Sequence, residues 1–195
     1  MKKAICPTYL FAFTTFLWTG LGYSSDNQNQ TIDRRLNQII TKAALTADFP
    51  SSFTARTWFT TMSQRLESYI SDSEQRIFLL QQVHHYARQN HLMPELVLAI
   101  IEVESHFRSH AVSPVGARGL MQVMPFWIQQ IGQTGDDLFN LETNLKYGCQ
   151  ILSHYLLQSD NNLPMALALY NGSKGRTSYP EKVMKAWRDN WQIKR

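Results

Sequence analysis

The sequence predicts an all-α protein built as one domain. Apolar residues recur at three- and four-residue steps in successive windows along the chain. No alternating strand pattern of useful length competes with them, and Pro and Gly fall at the window edges. A chain of 195 residues suits one compact domain better than two. Its 44% hydrophobic and 17% charged content is that of a globular chain with a core and rules out full disorder. No Gly-X-Y period, sustained heptad or long repeat appears, which excludes collagen, coiled coil and solenoid.

The first element is a leader. Lys2 and Lys3 precede an apolar stretch from Tyr9 to Leu21, and the small residues Gly22 and Ser24 follow at signal-peptidase spacing. This predicts a signal peptide over residues 1–24 and a periplasmic or secreted protein. The stretch is short for a membrane span, which takes about 20 apolar residues; an uncleaved anchor is the alternative. Cleavage would leave 17 Lys+Arg (19 less Lys2 and Lys3) against 15 Asp+Glu, a net of +2. With no basic stripe, that balance gives no reason to expect a nucleic-acid partner. Cleavage would also remove Cys6, leaving Cys149 as a lone thiol, expected to be buried and inert.

Residues 25–30 are polar and are expected as a flexible lead-in. Helical patterns follow over 32–46, 56–70 and 73–90. Together, residues 31–92 form an expected N-terminal helical layer that carries no chemical motif and offers a surface for a cell-envelope protein partner. Pro94 opens a helix over 94–107. Residues 111–119 read as loop, and 120–131 as a short helix kinked at Pro125. Asn140 is placed to cap a helix over 141–158. Gly172 closes a helix over 164–171, and Pro180 opens the last, 180–190. A monomer is expected.

One carboxylate stands out. Val97, Ile100, Ile101 and Glu104 share a helix face, so an acid lies on an apolar stripe. Burial removes water from the charged form and raises the carboxyl pKa, and the nearby negative end of the helix dipole acts in the same direction. A glutamic acid that stays protonated near neutral pH is what general-acid cleavage of a glycosidic bond requires. The alternative is an ordinary ion pair with Arg108 or Arg118.

The residues that follow bear on that choice. Glu104-Ser105 is followed by Phe107, by Ser113, by Gly116-Ala117-Arg118-Gly119-Leu120-Met121-Gln122-Val123-Met124-Pro125, and later by Ala166 through Tyr170-Asn171-Gly172 and Tyr179. This set resembles the catalytic domain of the soluble lytic transglycosylases, related to goose-type lysozyme, over about half the expected mature chain. The resemblance implies a lysozyme-like catalytic domain over 93–190, with the N-terminal layer added. It implies that Glu104 is the sole catalytic acid/base, and that Ser113, Gln122, Met124, Tyr170 and Asn171 line the cleft and contact substrate. The implied substrate and partner is the peptidoglycan glycan strand. The implied reaction cuts the β-1,4 bond between N-acetylmuramic acid and N-acetylglucosamine without water, closing a 1,6-anhydro ring. No metal or nucleotide cofactor is implied. Two positions depart from the usual pattern: Met93 stands where a capping residue is common, and Gly172-Ser173 replaces Ala-Gly after the Tyr-Asn pair.

Two other readings make different predictions. If Asp136 or Asp137 faced Glu104 across a water, the protein would be a hydrolytic muramidase. A silent peptidoglycan-binding scaffold would have no use for the whole constellation. The spacing of His106 and His110 is a weak metal signal, without a His-Glu-x-x-His signature.

Overall fold

The computed structural model describes the backbone of residues 23–193 and the side chains of residues 34–193. Among the described residues, eight α-helices run in chain order: α1 Tyr23–Thr46, α2 Ser52–Leu66, α3 Ser73–Gln89, α4 Pro94–Ser105, α5 Trp127–Ile131, α6 Leu141–Gln158, α7 Leu163–Tyr170 and α8 Ser178–Ala186. A π-helical turn, Trp187–Trp191, continues α8. Among the described residues there is no β-strand, only two isolated bridges, so the all-α expectation holds. The chain divides at Arg34/Arg35, and the packing described below belongs to the part from Arg35 onward. Among the described residues no helix is long and apolar enough to cross a membrane. The expected leader lies outside the described residues, except for its last two positions.

The centre of the fold is α4. Its six residues from Leu96 to Ile101 are all buried, which is the mark of a helix covered on every side rather than along one stripe. It packs against α3, α8 and the π-helical turn, while α6 packs against α3 and α7. Trp58, Phe59, Met62 and Leu66 of α2 join Ile77, Leu80 and Val83 of α3 in the same continuous core.

Polar groups tie the layers together. The Trp58 indole donates to Glu95 Oε1 at 2.7 Å, fixing α2 to the first turn of α4. The buried Arg76 guanidinium donates to Ser63 Oγ and to the Ile70 and Ser71 carbonyls, closing the α2–α3 turn with charge-assisted bonds. At the other end of α4, Glu102 accepts from Tyr69 at 3.1 Å, Asn190 at 2.8 Å and the Trp191 indole at 2.5 Å.

Several boundaries differ from expectation for local reasons. The segment 25–30 is helical within α1; it holds no Gly or Pro, so nothing in it stops a helix. α2 begins four residues earlier than expected, because the Ser51 side chain caps it by accepting from Thr54 N at 3.1 Å. α4 ends at Ser105, where His106 turns left-handed. Over 120–131 only Trp127–Ile131 is helical. Upstream, Arg118 bridges both Val112 and Val123, and Gln122 has φ +50°, which no helix accommodates. Asn140 does cap α6, accepting from Thr143 N at 3.0 Å. Gly172, at φ +68°, follows the end of α7 as expected.

His84 of α3 is buried, stacked on Phe49 with ring centroids 4.2 Å apart. Burial, aided by Arg88, lowers its pKa from 6.5 to about 4. The fold therefore holds it neutral, while the unfolded chain would take up a proton below about 6.5. Its contribution to stability is complete above that value and is lost as the pH falls through about 4. Melting curves between pH 7 and pH 4 should show His84→Phe losing less stability on acidification than the parent; an unchanged pH dependence would refute this.

Candidate functional site

Glu104 is the penultimate residue of α4, and the chain reverses immediately after it. His106 and Phe107 adopt φ values of +50° and +61°, a costly conformation for side chains other than Gly. The reversal is held by Phe107, which is buried against Tyr69 at 4.8 Å and Trp191 at 5.4 Å between ring centroids. Arg108 Nε returns to the Ser105 carbonyl at 3.0 Å. Neither Arg108 nor Arg118 forms an ion pair with Glu104: the Arg118 guanidinium lies over the Phe139 ring, 5.7 Å from its centroid.

Glu104 is instead held by a phenol. The Tyr179 hydroxyl, from the first turn of α8, donates to Glu104 Oε1 at 2.5 Å. Burial raises the Glu104 pKa from 4.5 to about 7, against a smaller lowering by the Tyr179 bond. Near neutral pH this carboxyl is therefore divided between acid and base forms. Tyr170 lies close enough to feel its charge, and burial and Glu104 together hold the Tyr170 and Tyr179 hydroxyls well above the usual phenol range. The Tyr170 hydroxyl donates to the Met121 carbonyl at 2.8 Å.

The remaining expected site residues occupy the loop between α4 and α5 and the end of α7. Ser113 Oγ accepts from Ala117 N at 3.0 Å. Gln122 spends its amide on the Ala111 and Gly119 carbonyls at 3.1 and 2.9 Å, which leaves Oε1 as its free polar edge. Met124 is half-buried, and Asn171 is exposed at the C-cap of α7. No hydrogen bond joins Ser113, Gln122, Met124 or Asn171 to Glu104; the Tyr179 hydroxyl is bonded to it, and the Tyr170 hydroxyl feels its charge.

Gly119, at φ +76°, is required by close approach as well as by conformation: a Cβ there would lie 2.3 Å from Asn144 Nδ2. Two aspartates that bear on a hydrolytic mechanism are committed elsewhere. Asp136 accepts from Tyr147 at 2.5 Å and from Gln133 N at 3.0 Å, and Asp137 accepts from Phe139 N at 2.8 Å. Cys149 is buried, and burial pushes its thiol well up, as an inert core residue requires. Among the described residues no group of three or more His, Cys, Asp or Glu side chains is placed to hold a metal ion.

A family model described as Transglycosylase SLT domain matches residues 81–192. The chain belongs to that family. The SLT match begins inside α3. The soluble lytic murein transglycosylase of Salmonella typhimurium is 35% identical over 100 residues, covering 47% of this chain and 15% of that protein. The transglycosylase of Enterobacteria phage PRD1 is 34% identical over 104 residues, covering 50% of this chain and 38% of that protein. The SLT chain thus aligns with well under half the length of either relative. Among solved structures, the 70 kDa soluble lytic transglycosylase of Escherichia coli aligns with TM-score 0.46 and 22% identity, over 85% of this chain and 26% of that one. An inactive mutant of the lytic transglycosylase Slt of Pseudomonas aeruginosa aligns with TM-score 0.47 and 21% identity, over 86% of this chain and 32% of that one.

Tyr179 is the site residue that sequence reasoning left without a role. It closes the run of matching residues, but nothing in the sequence pairs it with a glutamate 75 positions earlier. Asn144 was also passed over, although its signal was of the kind that singled out Glu104: a polar residue on an otherwise apolar helix face, beside Leu145 and Gly148.

Proposed function

We propose that the protein is an exported peptidoglycan lytic transglycosylase that cuts the β-1,4 bond between N-acetylmuramic acid and N-acetylglucosamine. The observation that carries this reading is the half-buried Glu104 carboxyl, with its pKa near 7 and Tyr179 on one oxygen. With Oε1 held by the phenol, Oε2 carries the proton and gives it to the glycosidic oxygen as the bond to C1 breaks. The carboxylate left behind takes the proton of the muramic acid 6-hydroxyl as that oxygen bonds to C1. Glu104 ends protonated again, and no water is consumed. The substrate's N-acetyl group stabilises the electron-poor C1, so a second carboxylate is unnecessary. Ser113, Gln122, Met124, Tyr170 and Asn171 are proposed to line the glycan path.

The commitment of Asp136 to Tyr147 and its own turn, and of Asp137 to Phe139 N, favours this reading over hydrolysis. Mass analysis of digested sacculi should show anhydro-muropeptides, each one water lighter than the lysozyme product. The rate should fall as the pH rises through about 7, because the proton donor is then lost. Products with free reducing ends would instead identify a muramidase.

A further inference from the structure

We infer that Asn144 is a positioning residue for Glu104, acting through the Met121 peptide and Tyr170; this rests on the reading of Glu104 as the proton donor. Asn144 lies on α6, 1% exposed, and it touches none of the groups proposed to react. Its Oδ1 accepts from Met121 N at 2.7 Å, and its Nδ2 donates to the carbonyls of Arg118 at 2.9 Å and Leu138 at 2.7 Å. Both amide donors are thereby used, and the partners settle which way the amide faces.

These bonds matter because of what they hold. The segment 118–121 has no helix to fix it; it is pinned internally by the Arg118 bridges and by the Gln122 amide. Asn144 clamps it from outside at both ends. The residue whose N–H goes to Asn144 is the residue whose carbonyl takes the Tyr170 hydroxyl at 2.8 Å. The Glu104 charge in turn acts on the Tyr170 and Tyr179 hydroxyls, and Tyr179 is bonded to Glu104 Oε1 at 2.5 Å. One turn further along α6, Gly148 seats the Met121 side chain: a Cβ at that position would lie 2.3 Å from Met121 Sδ and 2.8 Å from its Cβ. Gly119 leaves the space that Asn144 Nδ2 occupies. Two glycines and one amide thus serve a single placement, that of the Met121 peptide.

Loss of the clamp frees Met121, and the Tyr170 hydroxyl loses its acceptor. A buried phenol without a partner moves or takes up water. Water at that point restores solvation to the Glu104 anion, and the acid releases its proton too readily to serve as a donor at neutral pH.

The test is the pH–rate profile of the full chain carrying Asn144→Ala, measured beside Glu104→Gln and beside Ser63→Ala, which loosens Arg76 of the N-terminal layer and serves as a stability control. The expected result is a fall in kcat of roughly 10- to 100-fold with little change in KM. The alkaline limb of the profile should move from about 7 toward 4.5. Ser63→Ala should lower the melting temperature without moving that limb. Combining Asn144→Ala with Tyr170→Phe should cost no more than the worse single change, since both act on one path. Should Asn144→Ala fail to fold, the neutral Asn144→Ser, which retains a hydroxyl in place of the amide, should give an intermediate shift of the same sign. A profile that stays at the parent's position in whichever variant folds, with Glu104→Gln inactive, overturns the inference alone. Full activity in Glu104→Gln overturns the underlying reading of the acid, whatever Asn144 does.

Discussion

Glu104→Gln is expected to lower glycan cleavage by ~10²–10⁴-fold and, above pH 7, to make the protein more stable. Both effects come from the same burial. The fold raises the Glu104 pKa from 4.5 to about 7, so it prefers the protonated side chain. That preference contributes fully below about 4.5 and is lost as the pH climbs through about 7, beyond which the native state carries a poorly solvated anion. Glutamine is neutral at every pH and keeps an oxygen for the Tyr179 hydroxyl, but has no proton to lend. Melting curves of parent and variant should therefore nearly coincide at pH 4.5. At pH 8 they should separate in favour of the variant by on the order of 1–3 kcal/mol. A variant no more stable than its parent at pH 8 would show that the carboxyl is better solvated than its surroundings imply.

The largest stability loss from a single exposed or half-buried polar side chain is expected at Glu102. Its carboxylate collects Tyr69, Asn190 and Trp191, joining α4 to the α2–α3 turn and to the end of the chain. The Trp191 indole is 1% exposed and has no route to solvent once its acceptor is gone. Glu102→Ala should cost about 2–4 kcal/mol, dominated by that stranded donor, and lower the melting temperature by roughly 5–10 °C. Glu102→Gln keeps one acceptor oxygen and should cost distinctly less. Equal losses in the two variants would mean that packing at this position, rather than the hydrogen bonds, sets the cost.

Much of this was legible in the sequence wherever local chemistry governs. Pro94 at a helix start, Asn140 at a cap and Gly172 after a helix each act within a few residues of their own position, and each does as expected. Glu104 was legible for a related reason: an acid on an apolar face is a conflict visible within one helix. What was hidden depends on long-range closure. The short helix expected over 120–131 failed through its first seven residues, because the Arg118 bridges and the left-handed Gln122 override an otherwise helical pattern. Tyr179 was visible as a residue but not as a partner, because its bond spans 75 residues of sequence. Gln122 matched its motif, yet the structure shows its amide bracing the loop from within, a role that no spacing rule conveys.

The bond between Tyr179 and Glu104 joins two points 75 residues apart, with the phenol supplied by α8, the last α-helix among the described residues. A ribosome-bound chain that has not yet emitted that helix has its carboxyl but nothing to grip it. The bond forms only when α8 docks on α4. The Glu104–Tyr179 pair is thus a property of the folded chain and of neither segment alone.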